Sequence, residues 1–392
     1  MLWPAVDVPS HSSSESSPAA RGQGLGRALA GPIASNVAIY RRLFGLRGLS
    51  PAQIAGFGRR ALERIGEWYP ELAEEIEGIA RGAGLPVADV AALNARTELL
   101  AFGRGECTTV ACTGAATASA EPLGMQTWDW HEELSGGWCV WTIAHTDGPV
   151  VRTLTEAGIV GKIGVSDAGV GVLLNILGHD DDGPPMGVPV HILNRGVLDR
   201  ARTGVEALRM LSTARVSASS AVTVVAADED DGIVCTVELS PAGPGFVTPN
   251  RNGVVIHTNH FLADPGRGGD RMVREGPDSV LRHELARRRL ARRRSGIDEA
   301  AVLGVLASHR GGDGAICCHP AVDAPFGDRF RTLATVTIEP AAAMLRVRAG
   351  GPCEALTPRQ PKPRQGSRTR ATDEPPADIQ WADRASPLPP AR

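Results

Sequence analysis

At Cys107 the apolar period of the sequence changes. From Gly24 to about Phe102 the hydrophobic residues recur at helical spacing, with Ile33, Val37, Tyr40 and Phe44 on one stretch and Ile54, Phe57, Leu62, Ile65 and Trp68 on the next. Ser50 followed by Pro51 is an N-cap and first-turn pair that marks where the second of these helices starts. Two shorter helices are expected over about 72–81 and 88–100. From Cys107 onward the chain reads instead as short runs rich in Val, Thr, Ile and Trp broken by Gly, such as TTVACT, LGMQTWDW, GGWCVWTIAH and GPVVRTLT. These predict antiparallel strands, with Cys107 at the first residue of the first strand.

A helical interlude follows over about 188–213, then strands near 221–227, 233–239 and 254–257. Helices over about 278–294 and 297–308 precede closing strands at 333–338 and 344–347. Helices, then strands, then helices, then strands describe sheets stacked between helical layers, not an alternating parallel fold. The fold class expected is α+β. Boundaries follow from composition: a polar, flexible N-terminus over 1–21, a helical segment over 22–106, a strand-rich segment over 107–356, and a flexible tail rich in Pro, Arg and Gln over 357–392.

With 392 residues and 42% hydrophobic content the chain can bury a full-sized core. A net charge of -3 gives no broad attraction to nucleic acid or to an anionic membrane, and neither is expected as a partner. The basic residues from Arg287 to Arg294 read as a solvated helix face. Lys162 and Lys362 are the only lysines among 41 basic residues, a bias that carries no function by itself. No run reaches the length of apolar residues that a membrane span needs. Seven cysteines and a start without a secretory signal point to a reducing cytoplasm and not to a disulfide framework.

Cys107 stands in RGECTTVAC, between a helix and a strand, and its thiolate would be a strong nucleophile. Alone it reads as readily as a small buried hydrophobe. Asp129, an acid inside the aromatic strand TWDW, and Asn259, at the strand end HTNHF, are buried polar groups that need partners and would satisfy one another if they converged on Cys107.

The segments GIARGAGLPVADVAALNARTELL, ECTT, GMQTWDW, GVPVHILNRGVLD and HTNHF, in that order, resemble the C45 peptidase family of autoproteolytic acyltransferases and hydrolases. The resemblance covers roughly Gly22 to Cys353. It implies the four-layer αββα sandwich of N-terminal nucleophile hydrolases, in agreement with the layers read from periodicity. It also implies self-cleavage between Glu106 and Cys107, with Cys107 as nucleophile, Asp129 orienting its new amine and Asn259 lining the oxyanion site. The two fragments are expected to stay together. Arg331, in FRTLAT, matches a family arginine near the active site. The substrate class implied is a small-molecule N-acyl amide, with water, an amine or an acyl-CoA partner completing the reaction; no cofactor is expected. In two places the chain departs from the family pattern: Glu106 stands where a glycine precedes the nucleophile in a fungal relative, and Gln126 stands where amidase relatives carry an arginine, which suggests a different substrate head group.

Other chemistry is weaker. His257 and His260 flank Asn259, and a dyad of Cys107 with one of them, without self-cleavage, is the alternative enzyme; a non-catalytic binding domain of the same fold is the alternative outside catalysis. Asp180 to Asp182, with His179 and His191 nearby, lack the alternating spacing of a calcium loop. Cys317, Cys318 and His319 offer adjacent ligands without a second pair, so no metal site is assigned.

Overall fold

The structure, a computed structural model, describes residues 8–100, 107–228, 231–264, 266–293 and 295–356. Glu106 and the expected tail over 357–392 lie outside the described residues.

The first element is a short strand, β1 (Ser10–Ser13), followed by α1 (Pro18–Ala28). The segment over 8–21 is therefore structured, contrary to the flexible N-terminus expected from its polarity. β1 runs parallel to β4 (Trp138–Ala144) at the edge of a sheet, and the Trp141 indole donates to Ser13 Oγ at 2.9 Å. Backbone pairing at a sheet edge asks little of side-chain hydrophobicity, which is why composition missed it.

α2 (Ala30–Leu46), α3 (Pro51–Trp68), α4 (Pro70–Ala83), α5 (Val87–Asn94) and α6 (Arg96–Leu100) complete the helical segment. The Ser50 side chain caps α3 and Gln53 returns the bond to the Ser50 backbone, a capping box. α1 and α4 touch along glycines: a Cβ at Gly22 would lie 2.0 Å from the Glu75 carbonyl oxygen, and one at Gly78 2.3 Å from that of Ala19. Only glycine permits that backbone approach.

Two sheets follow. β2 (Thr108–Cys112) and β3 (Leu123–His131) belong to a five-stranded antiparallel sheet of order β11-β2-β3-β12-β13. β4, β5 (Val150–Glu156), β6 (Ile163–Ser166), β7 (Val170–Ile176), β8 (Ser220–Ala226), β9 (Ile233–Leu239) and β10 (Gly245–Val247) follow β1 in the eight-stranded sheet. β11 (Val254–His257), β12 (Phe330–Glu339) and β13 (Met344–Ala349) complete the smaller one. The sheets pack face to face, so closely that a Cβ at Gly124 of β3 would meet Leu173 of β7 at 2.9 Å.

α7 (Val190–Arg200) and α8 (Gly204–Thr213) cover the outer face of the larger sheet. After the short α9 (Met272–Glu275), α10 (Asp278–Leu290) and α11 (Glu299–Leu306) cover the smaller one, and α12 (Pro352–Leu356) follows β13. The result is the αββα sandwich that the sequence led us to expect.

The pleat decides which way the site residues face. Val110 and Cys112 of β2, with Leu123 and Met125 of β3, pack against α10 and α11, whereas Ala111 and Trp128 join the core between the sheets. Cys107 shares the parity of Ala111 and joins that inner core; Asp129 shares the parity of Met125 and faces outward. Among the described residues no helix is long and apolar enough to cross a membrane.

Candidate active site

Cys107 immediately precedes β2, which among the described residues is the second strand and not the first. It is 4% exposed, and its Sγ lies 3.9 Å from the backbone carbonyl oxygen of Asp129 on the neighbouring strand. Its own carbonyl oxygen accepts two hydrogen bonds, from Asn175 Nδ2 of β7 at 3.0 Å and from Arg282 Nη1 of α10 at 3.1 Å. The start of the strand is thus pinned from the opposite sheet and from the helix behind it.

Asp129 is fully buried, and its carboxylate reaches the start of β2 through a hydroxyl. The Thr108 N–H donates to Thr127 Oγ1 at 3.2 Å, and Thr127 Oγ1 lies 3.4 Å from both Asp129 Oδ2 and the Ile316 carbonyl oxygen. The outward pleat of Asp129 explains why the thiol meets its backbone oxygen and not its carboxylate.

Asn259 is also fully buried. Its Oδ1 accepts from Arg282 Nη2 at 3.0 Å, its Nδ2 donates to the Ile176 carbonyl oxygen at 2.9 Å, and its backbone N–H donates to Ser279 Oγ at 2.8 Å. One guanidinium therefore holds both the Cys107 carbonyl and the Asn259 carboxamide, and the oxygen end of that amide is turned towards the cation. Ile176 also lines a small pocket whose walls include Leu100, Trp130, Met272, Asp182, Arg271 and Glu275.

Beneath the thiol lies a buried charge cluster. Glu156 Oε1 takes Arg96 Nη2 at 2.6 Å and Lys162 Nζ at 3.0 Å, and its other oxygen takes the Tyr40 hydroxyl. Lys162 Nζ sits 3.8 Å from the centroid of Trp128, on the Cys107 side of β3. Burial pulls the Lys162 ammonium down to about 7, with Glu156 opposing the fall and Arg96 adding to it. Burial pushes the Cys107 thiol up to about 11; Asp129 adds to the rise, while the charges of Lys162 and Arg282 oppose it. In the intact chain the thiol is therefore protonated at neutral pH and needs a base to act.

The remaining expected residues are engaged elsewhere. Gln126 does not present itself to a substrate: it is fully buried, accepts the Leu174 N–H at 3.1 Å and donates to the Leu174 carbonyl, fastening β3 to β7 just past the last β6–β7 pair at Gly164↔Val172. Arg331 places its guanidinium 3.2 Å from Glu132 at the start of β12, because its pleat points away from the Thr332–Asp129 pair. His257 is held at both ring nitrogens, by Glu238 at 2.7 Å and the Thr258 carbonyl at 2.9 Å. His260 Nδ1 lies 2.8 Å from Ser279 Oγ, and burial lowers it to about 3. Neither histidine is placed as the base of a dyad. Asp180 pairs with Arg274 and Asp182 with Arg271 and Ser219, which accounts for the acidic loop without a metal.

Lys162, Asn175 and Arg282 were not singled out from the sequence. Lys162 carried a signal, as one of only two lysines; Asn175 stood as a lone amide within the apolar run of β7. Arg282 had none, lying near exposed arginines such as Arg287 and Arg288, which pair with Glu284 as a solvated face should.

Residues 118–354 match the family described as AAT, acyl-coenzyme A:6-aminopenicillanic acid acyl-transferase, a match that takes in Gln126, Asp129, Asn259, Arg282 and Arg331 and begins after Cys107. The 40 kDa form of acyl-coenzyme A:6-aminopenicillanic-acid-acyltransferase from Emericella nidulans is 31% identical over 277 residues, 70% of this chain and 75% of the relative. Among solved structures, the Caenorhabditis elegans ortholog of N-acylethanolamine-hydrolyzing acid amidase aligns over 60% of this chain and 93% of its own, at 17% identity and a TM-score of 0.42. The penicillin V acylase of Agrobacterium tumefaciens aligns over 62% and 83%, at 13% identity and 0.39.

Proposed function

The chain belongs to the acyl-coenzyme A:6-aminopenicillanic acid acyl-transferase family, which makes it an N-acyltransferase or an amide hydrolase, and from that premise we propose that it cleaves itself before Cys107 and works through the freed N-terminal thiol. The observation that carries this reading is the shared grip of Arg282 on the Cys107 carbonyl and the Asn259 carboxamide, which brings nucleophile and oxyanion donor into one frame.

In the precursor the Cys107 thiol attacks the carbonyl of Glu106, its proton passes to the peptide nitrogen, which leaves as the new α-amine, and water resolves the thioester to the Glu106 carboxylate and the free thiol. A thiol raised to about 11 is a poor nucleophile unaided, and an α-amine with a reference pKa of about 7.7–8.0 is a suitable base directly beside it. Asp129, working with Thr127, orients that amine. The substrate acyl group then passes to sulfur, giving a thioester and releasing its amine. One Asn259 Nδ2 hydrogen goes to Ile176; the other is the oxyanion donor, a contribution of about 3 kcal/mol to the barrier in comparable sites. The charge of Arg282, joined by that of Lys162 when it is protonated, favours the thiolate. Water or an amine finally takes the acyl group.

Cleavage would leave the fragments joined, because β1 is a strand of the larger sheet and Glu75 pairs with Arg195 across the cut at 2.7 Å. Intact mass spectrometry with N-terminal sequencing tests the proposal. Wild-type protein should give two co-eluting fragments, one ending at Glu106 and one starting at Cys107, and Cys107→Ala a single chain. Wild-type protein that stays whole, or a Cys107→Ala chain cut at the same bond, would refute it.

A further inference from the structure

Around the loop that follows α11, four side chains that the catalytic reading does not use come together. His309 follows α11, Cys317 and His319 lie in the loop after it, and Cys353 is in α12. Their ligand atoms all lie within 4.8 Å of one another. Cys317 Sγ is 3.6 Å and Cys353 Sγ 3.5 Å from His319 Nε2, and the Nε2 atoms of His319 and His309 are 3.2 Å apart. Zinc bonds of about 2.3 Å to sulfur and 2.0–2.1 Å to nitrogen, arranged tetrahedrally, require sulfur–nitrogen edges of about 3.6 Å and a nitrogen–nitrogen edge of about 3.3 Å. These three edges match within a tenth or so of an ångström, and the other three, at no more than 4.8 Å, come to tetrahedral length by small side-chain rotations.

We propose that His309, Cys317, His319 and Cys353 form a tetrahedral zinc site. The pair that Cys317 and His319 lacked in the sequence is supplied by His309 and Cys353, eight residues before and 34 residues after them in the case of the closest ligands. Cys318, by contrast, turns its sulfur to the Phe330 carbonyl and takes no part. Two thiolates and two imidazoles suit a borderline-soft ion and exclude calcium and magnesium, which prefer oxygen. The chemistry balances simply: zinc displaces the two thiol protons and takes lone pairs from two neutral imidazoles, leaving a neutral complex with four protein ligands. A closed set of this kind is structural.

The surroundings hold the ligands in place without the metal. The Cys317 N–H donates to the Ser308 carbonyl at 3.0 Å, and Thr332 bonds the Cys318 backbone through both its N–H and its hydroxyl, each at 3.0 Å. Gly351 is the point of close approach: a Cβ there would lie 2.7 Å from Cys317 Sγ. Both histidines are exposed and Cys317 is buried, so the ion would enter from solvent and seal against the core. The site would clamp α12 to the loop carrying Ile316, whose carbonyl oxygen lies within reach of the Thr127 hydroxyl beside Asp129.

The test does not depend on self-cleavage and can use either wild type or Cys107→Ala. Full-length protein purified without chelators should carry about one zinc per chain by elemental analysis. After zinc is removed, cobalt should bind at the same stoichiometry with the visible bands of a tetrahedral complex and thiolate-to-metal charge transfer. His309→Ala, at an exposed position, should fold normally and bind zinc at least about tenfold more weakly, and Cys353→Ser should lose the charge-transfer bands in part. Protein without zinc whose thiols give no charge-transfer spectrum with cobalt overturns the proposal. So does a peptide map that joins Cys317 to Cys353 by a disulfide.

Discussion

Replacing Arg282 by methionine isolates the contact on which the site depends. The side chain is 1% exposed and donates to Cys107 O at 3.1 Å, Thr108 Oγ1 at 3.2 Å and Asn259 Oδ1 at 3.0 Å. Methionine keeps most of the stem and removes every donor. Cys107 O retains Asn175, so its loss is partly covered, but Asn259 Oδ1 loses its charged donor inside the protein. Charge-assisted bonds contribute about 1.5–3 kcal/mol each, and Asn259 Oδ1 is left buried without its donor while Asp278, 29% exposed, returns to water, so a net loss of about 2–4 kcal/mol is expected. Urea unfolding should be measured in the Cys107→Ala background, where a single chain unfolds and the equilibrium does not depend on fragment concentration. Adding Asn259→Ala completes a double-mutant cycle whose coupling should be about 1.5–3 kcal/mol. With Cys107 intact, Arg282→Met should also slow appearance of the two fragments, since the Asn259 amide is no longer held oxygen-first towards the helix. Additivity within about 0.5 kcal/mol would show that the guanidinium does not organise Asn259, and the reasoning would fail.

Two further outcomes follow from buried polar groups. Gln126→Leu should cost about 2–4 kcal/mol of unfolding free energy, because the Leu174 N–H and carbonyl lose their partner, and should leave the preference among acyl substrates unchanged; a changed preference with unaltered stability would restore Gln126 to the substrate site. The second concerns pH: burial lowers His131 to about 4, His260 to about 3, His283 to about 4 and His191 well below 6.5. A depressed folded pKa gives stability that is present above the unfolded value and lost as pH falls, at up to about 1.4 kcal/mol per unit for each group. Glu98, raised to about 7 by burial, works the other way, its contribution being full below pH 4.5 and lost as pH rises to 7. Asp182 and Asp270, also raised by burial, act with Glu98, but the four histidines outweigh them, and unfolding free energy should drop by about 3 kcal/mol from pH 6.5 to 5; a flat profile by urea titration would contradict the buried histidines.

Periodicity was enough for the layers. The helical spacing of Ile54, Phe57, Leu62 and Ile65 and the alternation after Cys107 reflect which faces must leave water, a local property of the chain. The Ser50–Pro51 cap was legible for the same reason. Asp129 and Asn259 could be singled out because acids and amides in apolar strands demand partners, and Cys107 through its conjunction with them and the family resemblance.

Who those partners are is not a local property. Cys107 and Asp129 fall on opposite faces of their sheet only once β2 and β3 take the register Thr108↔Thr127. Gln126 becomes a fastener between sheets because Leu174 arrives opposite it. Arg282 reads as another helix-surface arginine until α10 packs behind β2, when its fork meets backbone and carboxamide groups brought from distant strands. His309 and Cys353 likewise complete the ligand set of Cys317 and His319 only after α12 folds back. Sequence settled which groups must be buried and on what kind of element. Tertiary structure decided which buried group answers which, because hydrogen bonding and metal coordination act over a few ångströms of space and are indifferent to separation along the chain.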